Sequence, residues 1–165
     1  MSDNPLVING WTLLADVCFI EALERLKTEV HVLRQKNPES WVNKNAAKRL
    51  AAIARLMLQD IPSDPSRDIY RLGTTLGKQH KHWLRAKFYQ QYRLFFRYQS
   101  ERKIIIYGWV NGPKTKRSYG SKTDAYLVFN RMLQQGCPPN DWEALLAEAL
   151  TQRQRFSREI DDLST

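Results

Sequence analysis

Apolar residues keep helical spacing over the first third of this chain and switch to strand-like alternation at Trp83, a change that neither an all-helical nor an all-strand fold can satisfy. Phe19, Leu23, Leu26, Val30 and Leu33 recur at steps of four, three, four and three, forming one stripe of a helix over residues 16–37. Ala47, Leu50, Ala54, Met57 and Ile61 make a second stripe, with Asn43 placed to cap it and Pro62 to end it. The two read as a helical hairpin. Residues 6–14 ahead of them read as an edge strand bent at Asn9-Gly10. Residues 83–88, 91–98 and 103–110 follow as strands, the last apolar at almost every position and therefore central. Helical spacing returns over residues 122–135, with Tyr126, Phe129 and Leu133 on one side and Gly136 as the stop. Asn140, with Glu143 three places on, is positioned to cap a last helix carrying Trp142, Leu145, Leu146 and Ala149. The order predicts an α+β fold.

At 165 residues the chain is long enough for one good core, and it reads as a single domain with a C-terminal extension from about residue 153 that frays. The longest apolar run, residues 104–110, is far short of the roughly 20 residues a bilayer requires, so no membrane partner is expected. Cys18 and Cys137 lie far apart without metal-ligand spacing, and no basic segment followed by an apolar one opens the chain. These features predict a reduced, cytoplasmic protein.

Charge then narrows the function. Of 26 Lys and Arg residues, 14 fall between Arg67 and Lys122, with only Asp68 and Glu101 of the acidic residues beside them. That window carries +12 and the remainder −3, a clustering that fits a polyanion better than it fits general solubility. Strand alternation puts Arg85 and Lys87 opposite Leu84, Ala86 and Phe88, and puts Arg93 and Arg97 opposite Leu94, Phe96 and Tyr98. If the oily sides face the helices, four cations share an open sheet face beside the basic loop Lys114-Thr115-Lys116-Arg117. Such a groove suits phosphates, because guanidinium forks bind them bidentately and stay charged. Nothing in the spacing supplies an HxxE motif, a carboxylate pair or a Cys/His cluster, so metal-assisted hydrolysis is disfavoured and no cofactor is expected. On composition alone, a non-catalytic RNA- or DNA-binding module or repressor fits equally well.

Several motifs carry a resemblance. Tyr92-Arg93-Leu94-Phe95-Phe96-Arg97-Tyr98, preceded by Arg85-Ala86-Lys87-Phe88 and followed by Gly108-Trp109, Arg117-Ser118-Tyr119-Gly120 and Thr123-Asp124-Ala125-Tyr126, resembles the YhaV toxin family. Asn9-Gly10-Trp11 and the run Gly136-Cys137-Pro138-Pro139-Asn140-Asp141-Trp142 extend the likeness over nearly the whole chain. One departure is Asp16-Val17, where the family pattern has His-Pro ahead of Cys-Phe.

The resemblance implies a RelE-like fold: two N-terminal helices packed on a twisted antiparallel sheet, with additional helices at the C-terminus. It also implies the toxin of a type II toxin–antitoxin system, an endoribonuclease that cleaves messenger RNA, free or on the ribosome, and so inhibits translation. The attack would come from the 2′-hydroxyl, without metal. The implied partner is a PrlF-like antitoxin with an AbrB-type fold, through which DNA is contacted. Residue by residue, Arg93 matches the arginine expected to stabilise the phosphorane, and Arg117 the second essential arginine, with Lys116 beside it. Arg85 and Lys87 match the basic pair from which the departing 5′-oxygen could take a proton, and Tyr119 or Tyr126 could stack on a base or act as general base. His82 and Arg97 complete the expected substrate-binding set, and His80 is the other histidine placed ahead of the first basic strand.

Overall fold

A computed structural model describes residues 5–163. The Asn9-Gly10 bend is a hairpin turn: both residues take positive φ, 52° and 83°, which a right-twisted two-residue turn needs and which glycine supplies freely. It joins β1 (Val7–Ile8) to β2 (Trp11–Ala15). Asp16 then starts α1 (Val17–Lys36), its side chain accepting the Cys18 N–H. The second helix, α2 (Asn45–Arg55), begins after Lys44 rather than at an Asn43 cap, and Lys44 offers no side-chain bond. It passes through a π turn at Leu56–Asp60 into a short α3 (Ile61–Ser63), so that Pro62 sits inside the helical path instead of ending it. Proline is tolerated there because it lies in the first turn of α3.

After an irregular stretch come β3 (Leu84–Phe88), β4 (Tyr92–Gln99) and β5 (Ile104–Val110), close to the positions that alternation predicts. The chain closes with α4 (Ala125–Gln134), α5 (Trp142–Thr151) and α6 (Arg153–Leu163). The α+β class holds, with two corrections to the expected sheet. Its order is β1-β2-β5-β4-β3, so of the two N-terminal strands β2 is inner and β1 is an edge, with β3 at the opposite edge; and β2 runs parallel to β5, which makes the sheet mixed. Strand β5 is central, as its continuous apolar run requires.

The sheet is covered on both sides. One face, with Leu13, Leu94, Phe96, Ile105 and Tyr107, packs on α1 and α2 residues such as Phe19, Leu23 and Ile53. The other, with Leu14, Phe95, Ile106 and Trp109, lies under Phe129 and Leu133 of α4 and Leu145 and Ala149 of α5. A bulge between Phe95 and Phe96 skips Gly108, where an added Cβ would come within 2.5 Å of the Trp83 ring. Only glycine lets that buried indole close against the strand. Fraying from residue 153 is not found: α6 buries Phe156 and Ile160 in the first core and pairs Arg155 with Glu24 and Glu159 with Lys27 of α1. Residues 164 and 165 of the expected extension lie outside the described residues. No helix among the described residues is long and apolar enough to cross a membrane.

Candidate active site

The basic side of the sheet is not open. The α4 and α5 helices roof it, and the four strand cations divide into two groups at different ends of that roof. Apolar residues decide this: Phe95 alternates onto the same side as Arg93 and Arg97, and its ring stacks on Phe129 at 4.1 Å. An aromatic side chain in the middle of a basic face needs a cover, and α4 provides it.

The first group converges on Tyr126. Its phenol oxygen accepts from Arg93 Nε at 3.0 Å and from Arg85 Nε at 3.1 Å. The Arg117 guanidinium lies 4.7 Å from the centre of its ring. Arg93 is only 6% exposed; its Nη1 donates to the carbonyls of Gln90 and Tyr92. Its Nη2 has no protein acceptor among the described residues, yet it is not among the fully buried unpaired atoms, so it meets solvent. Arg85 is held by the Ile69 and Arg71 carbonyls. Lys87 stands opposite Arg93 in the β3–β4 register and is exposed, as is Lys116 beside Arg117 in the loop. Tyr119 is 94% exposed, with the Arg117 guanidinium 5.3 Å from its ring, the setting of a stacking platform. A phenol oxygen with both lone pairs occupied by guanidinium donors can only donate its own proton, so Tyr126 presents an O–H flanked by fixed positive charge.

Asp124 places Arg117, a role that charge counting missed because the residue falls just outside the basic window. It caps α4 by accepting the Tyr126 N–H, and its other oxygen accepts from Arg117 Nη1 at 2.6 Å and from the Ser118 N–H. Burial pushes its carboxyl up, but the Arg117 bond and charge together with the two backbone N–H groups outweigh burial and hold it below the usual carboxylate range. A depressed folded value means that the stabilisation is present above the unfolded pKa, near 3.8, and is lost as pH falls through the lower folded one. Asp124→Asn keeps a competent cap and loses the ion pair. Its melting temperature is expected to lie below that of the parent at neutral pH, with the gap shrinking below about pH 4. A gap that stays constant down to pH 2 would show that the charge adds nothing. Asn111, which follows β5, accepts the Arg93 N–H and donates to the Gln91 and Thr115 carbonyls, fixing the loop root.

The second group centres on Asn140. The cap of α5 is Asp141, accepting the Ala144 N–H, and not Asn140. The Asn140 oxygen is instead met by Trp83 Nε1 at 3.1 Å, His80 Nδ1 at 3.0 Å and His82 Nε2 at 3.2 Å, while its carbonyl accepts from Arg97. Arg97 lies between the Trp83 and Trp142 rings, and burial brings its pKa down to about 10, still charged at neutrality. Burial first, and then the Arg97 charge, lower the His82 imidazole. His82 and Arg97 therefore stand apart from the Tyr126 group, and His80 is buried. Trp83 and Trp109 are core residues and cannot stack on a base. A cleft of about 530 Å3 next to this group is lined by Arg71, Lys81, His82 and Tyr98.

Comparison with known proteins bears on this arrangement. The sequence model of the YhaV toxin family, described as a toxin with endonuclease activity of a toxin–antitoxin system, matches residues 13–150. The ribonuclease toxin YhaV of Escherichia coli strain K12 is 46% identical over 148 residues, which are 88% of this chain and 96% of that protein. The toxin YhaV of Escherichia coli O6:H1 matches to the same extent. Among solved structures, the toxin–antitoxin complex RelBE2 from Mycobacterium tuberculosis overlaps 66% of this chain and 95% of the matched chain at 17% identity, with a TM-score of 0.42, too partial a fit to build on.

Proposed function

Because the chain belongs to the YhaV family of toxin endonucleases, we propose that it is the toxin of a type II toxin–antitoxin pair and cleaves messenger RNA in the cytoplasm, stopping translation. The observation that supports this is the convergence of Arg85, Arg93 and Arg117 on the single phenol of Tyr126, on a protein of net charge +9. A surface that only binds RNA needs exposed cations. It does not need two guanidinium groups, one of them buried, hydrogen-bonded to one hydroxyl.

In the proposed reaction the ribose 2′-oxygen forms a bond to the adjacent phosphorus and gives its proton to solvent water, while the bond to the 5′-oxygen breaks and that oxygen takes up a proton. The products are a 2′,3′-cyclic phosphate and a 5′-hydroxyl. Arg93, through its outward Nη2, and Arg117 stabilise the charge that builds on the phosphorane oxygens. Tyr126 donates its proton toward the departing 5′-oxygen, and Arg85 with Arg93 holds the phenol in place for that transfer. Lys87 and Lys116 bind flanking phosphates, and Tyr119 stacks on a neighbouring base. No step is routed through a metal ion. The antitoxin is proposed to be PrlF-like, with an AbrB-type region that carries the DNA contacts.

The test is an end-labelled RNA carrying one 2′-deoxynucleotide at a mapped cut position. Cleavage there is expected to vanish while other sites are still cut, leaving 2′,3′-cyclic ends. Tight RNA binding with the strand intact, with or without ribosomes, would overturn the proposal in favour of a non-catalytic binding module.

A further inference from the structure

Folding brings together side chains from two stretches that the sequence keeps far apart. Asp16, at the start of α1, and Cys18, two residues on, meet Cys137 in the connection between α4 and α5, with one ligand atom from each within 4.8 Å of the others. This corrects the expectation that the two cysteines are unrelated. The carboxyl of Glu148 on α5 lies beside that of Asp16, at the edge of this set of two thiols and one carboxyl.

The set lacks a positive charge. Asp16 is fully buried; its Oδ2 accepts the Cys18 N–H, its Oδ1 meets no N–H or hydroxyl donor among the described residues, and the carboxyl it faces is that of Glu148, so the pair can be held only by a shared proton or a cation. Buried carboxylate oxygens are ordinarily paired, because an unpaired one forfeits its hydration for nothing in return. This chain has 26 Lys and Arg residues, and none is among the groups that act on Asp16. A cation at this point would supply the missing partner, and the donors define its type. Thiolate sulfur selects soft or borderline ions of the zinc kind over magnesium or calcium.

We propose that Asp16, Cys18 and Cys137, with the neighbouring Glu148 carboxyl or a water as fourth ligand, form a site for a zinc-like divalent ion that ties the β2–α1 junction to the α4–α5 connection. Zinc bonds of about 2.0–2.3 Å place tetrahedral ligands roughly 3.3–3.8 Å apart, and the Asp16, Cys18 and Cys137 ligand atoms already lie within 4.8 Å of one another. Cys18 is buried and Cys137 is exposed, so the ion enters from the Cys137 and Glu148 side. Tyr126 opens α4 and Cys137 follows its other end, so the site does not include the Tyr126 cluster, and its role is structural. Cys137 is three residues before Asn140, so an ion bound here would also steady the Trp83, His80 and Arg97 cluster.

The test uses the full-length protein, reduced with a non-thiol reductant, and cobalt(II) as a spectroscopic stand-in for zinc. About one equivalent is expected to bind, with thiolate-to-cobalt charge transfer and the intense visible bands of a tetrahedral ion, and zinc is expected to displace it and raise the melting temperature. Cys137→Ser, at an exposed position, should remove the charge-transfer band contributed by that sulfur and weaken binding at least about tenfold; Asp16→Asn should weaken it similarly. Cobalt binding that is unchanged in Cys137→Ser, or a reduced parent protein that binds no metal and instead closes a Cys18–Cys137 disulfide on mild oxidation, would overturn the proposal. None of these readouts depends on RNA cleavage.

Discussion

Replacing Arg93 by alanine is expected to lower RNA cleavage by about 10²–10³, the usual cost of deleting one preorganised donor to a developing oxyanion. The side chain acts at two points. Its Nε holds the Tyr126 phenol, and its Nη2 is the part of the group that still reaches solvent. RNA affinity should fall far less, within about tenfold, because Arg117, Lys87 and Lys116 still meet the phosphates. Arg93→Lys should keep the charge and lose the fork, leaving a rate between those of the parent and the alanine variant, since one ammonium cannot serve the phenol, the Gln90 and Tyr92 carbonyls and a phosphate together. The measurement is single-turnover cleavage well below the melting temperature of each variant. An alanine variant that cuts within threefold of the parent would remove Arg93 from the chemistry.

Phe129→Ala is expected to have the largest effect on stability, about 3–5 kcal/mol, typical of a large aromatic residue deleted from a core that cannot collapse around the loss. The ring is fully buried. It stacks on Phe95 at 4.1 Å, lies parallel to Trp109 at 5.8 Å and meets Trp83 edge-on at 5.1 Å. Each of these neighbours is itself pinned by strand pairing or packing, so the cavity stays open. For a chain of this length the loss corresponds to a melting temperature roughly 6–20 °C lower. Activity should suffer as well, because Tyr126 lies one turn earlier on α4, and Asp124, which holds Arg117, caps that helix. Thermal unfolding with a cleavage assay at low temperature checks both. A shift below about 3 °C would mean that the α4 roof does not depend on this stack.

Much of the candidate site was legible beforehand. Arg85, Arg93, Arg117 and Tyr126 were all singled out as residues, and the structure gathers them at one phenol. Arg97 and His82 were grouped with them because alternation fixes which side of a strand a residue takes but says nothing of what covers that side. The aromatic on the shared side, Phe95, draws α4 across and splits the row of cations. Asn140 shows the same limit: its spacing to Glu143 fits a capping box, yet a buried indole and two imidazoles compete for its oxygen, and Asp141 takes the cap.

Periodicity, charge and a few turn residues thus determined what is local here: most of the helices and strands, the central place of β5, a bend at Asn9-Gly10 and the basic character of β3 and β4, though that the bend is a hairpin turn between two paired strands came from the structure. Each of these depends on residues a few positions apart, whose geometry the backbone fixes. What remained for the tertiary structure was which distant residues meet. The parallel pairing of β2 with β5, the closure of α4 and α5 over the basic face, the docking of α6 and the meeting of Cys18 with Cys137 all come from burying two apolar faces of one sheet at once. That solution depends on the shapes of many side chains together, which no local spacing encodes.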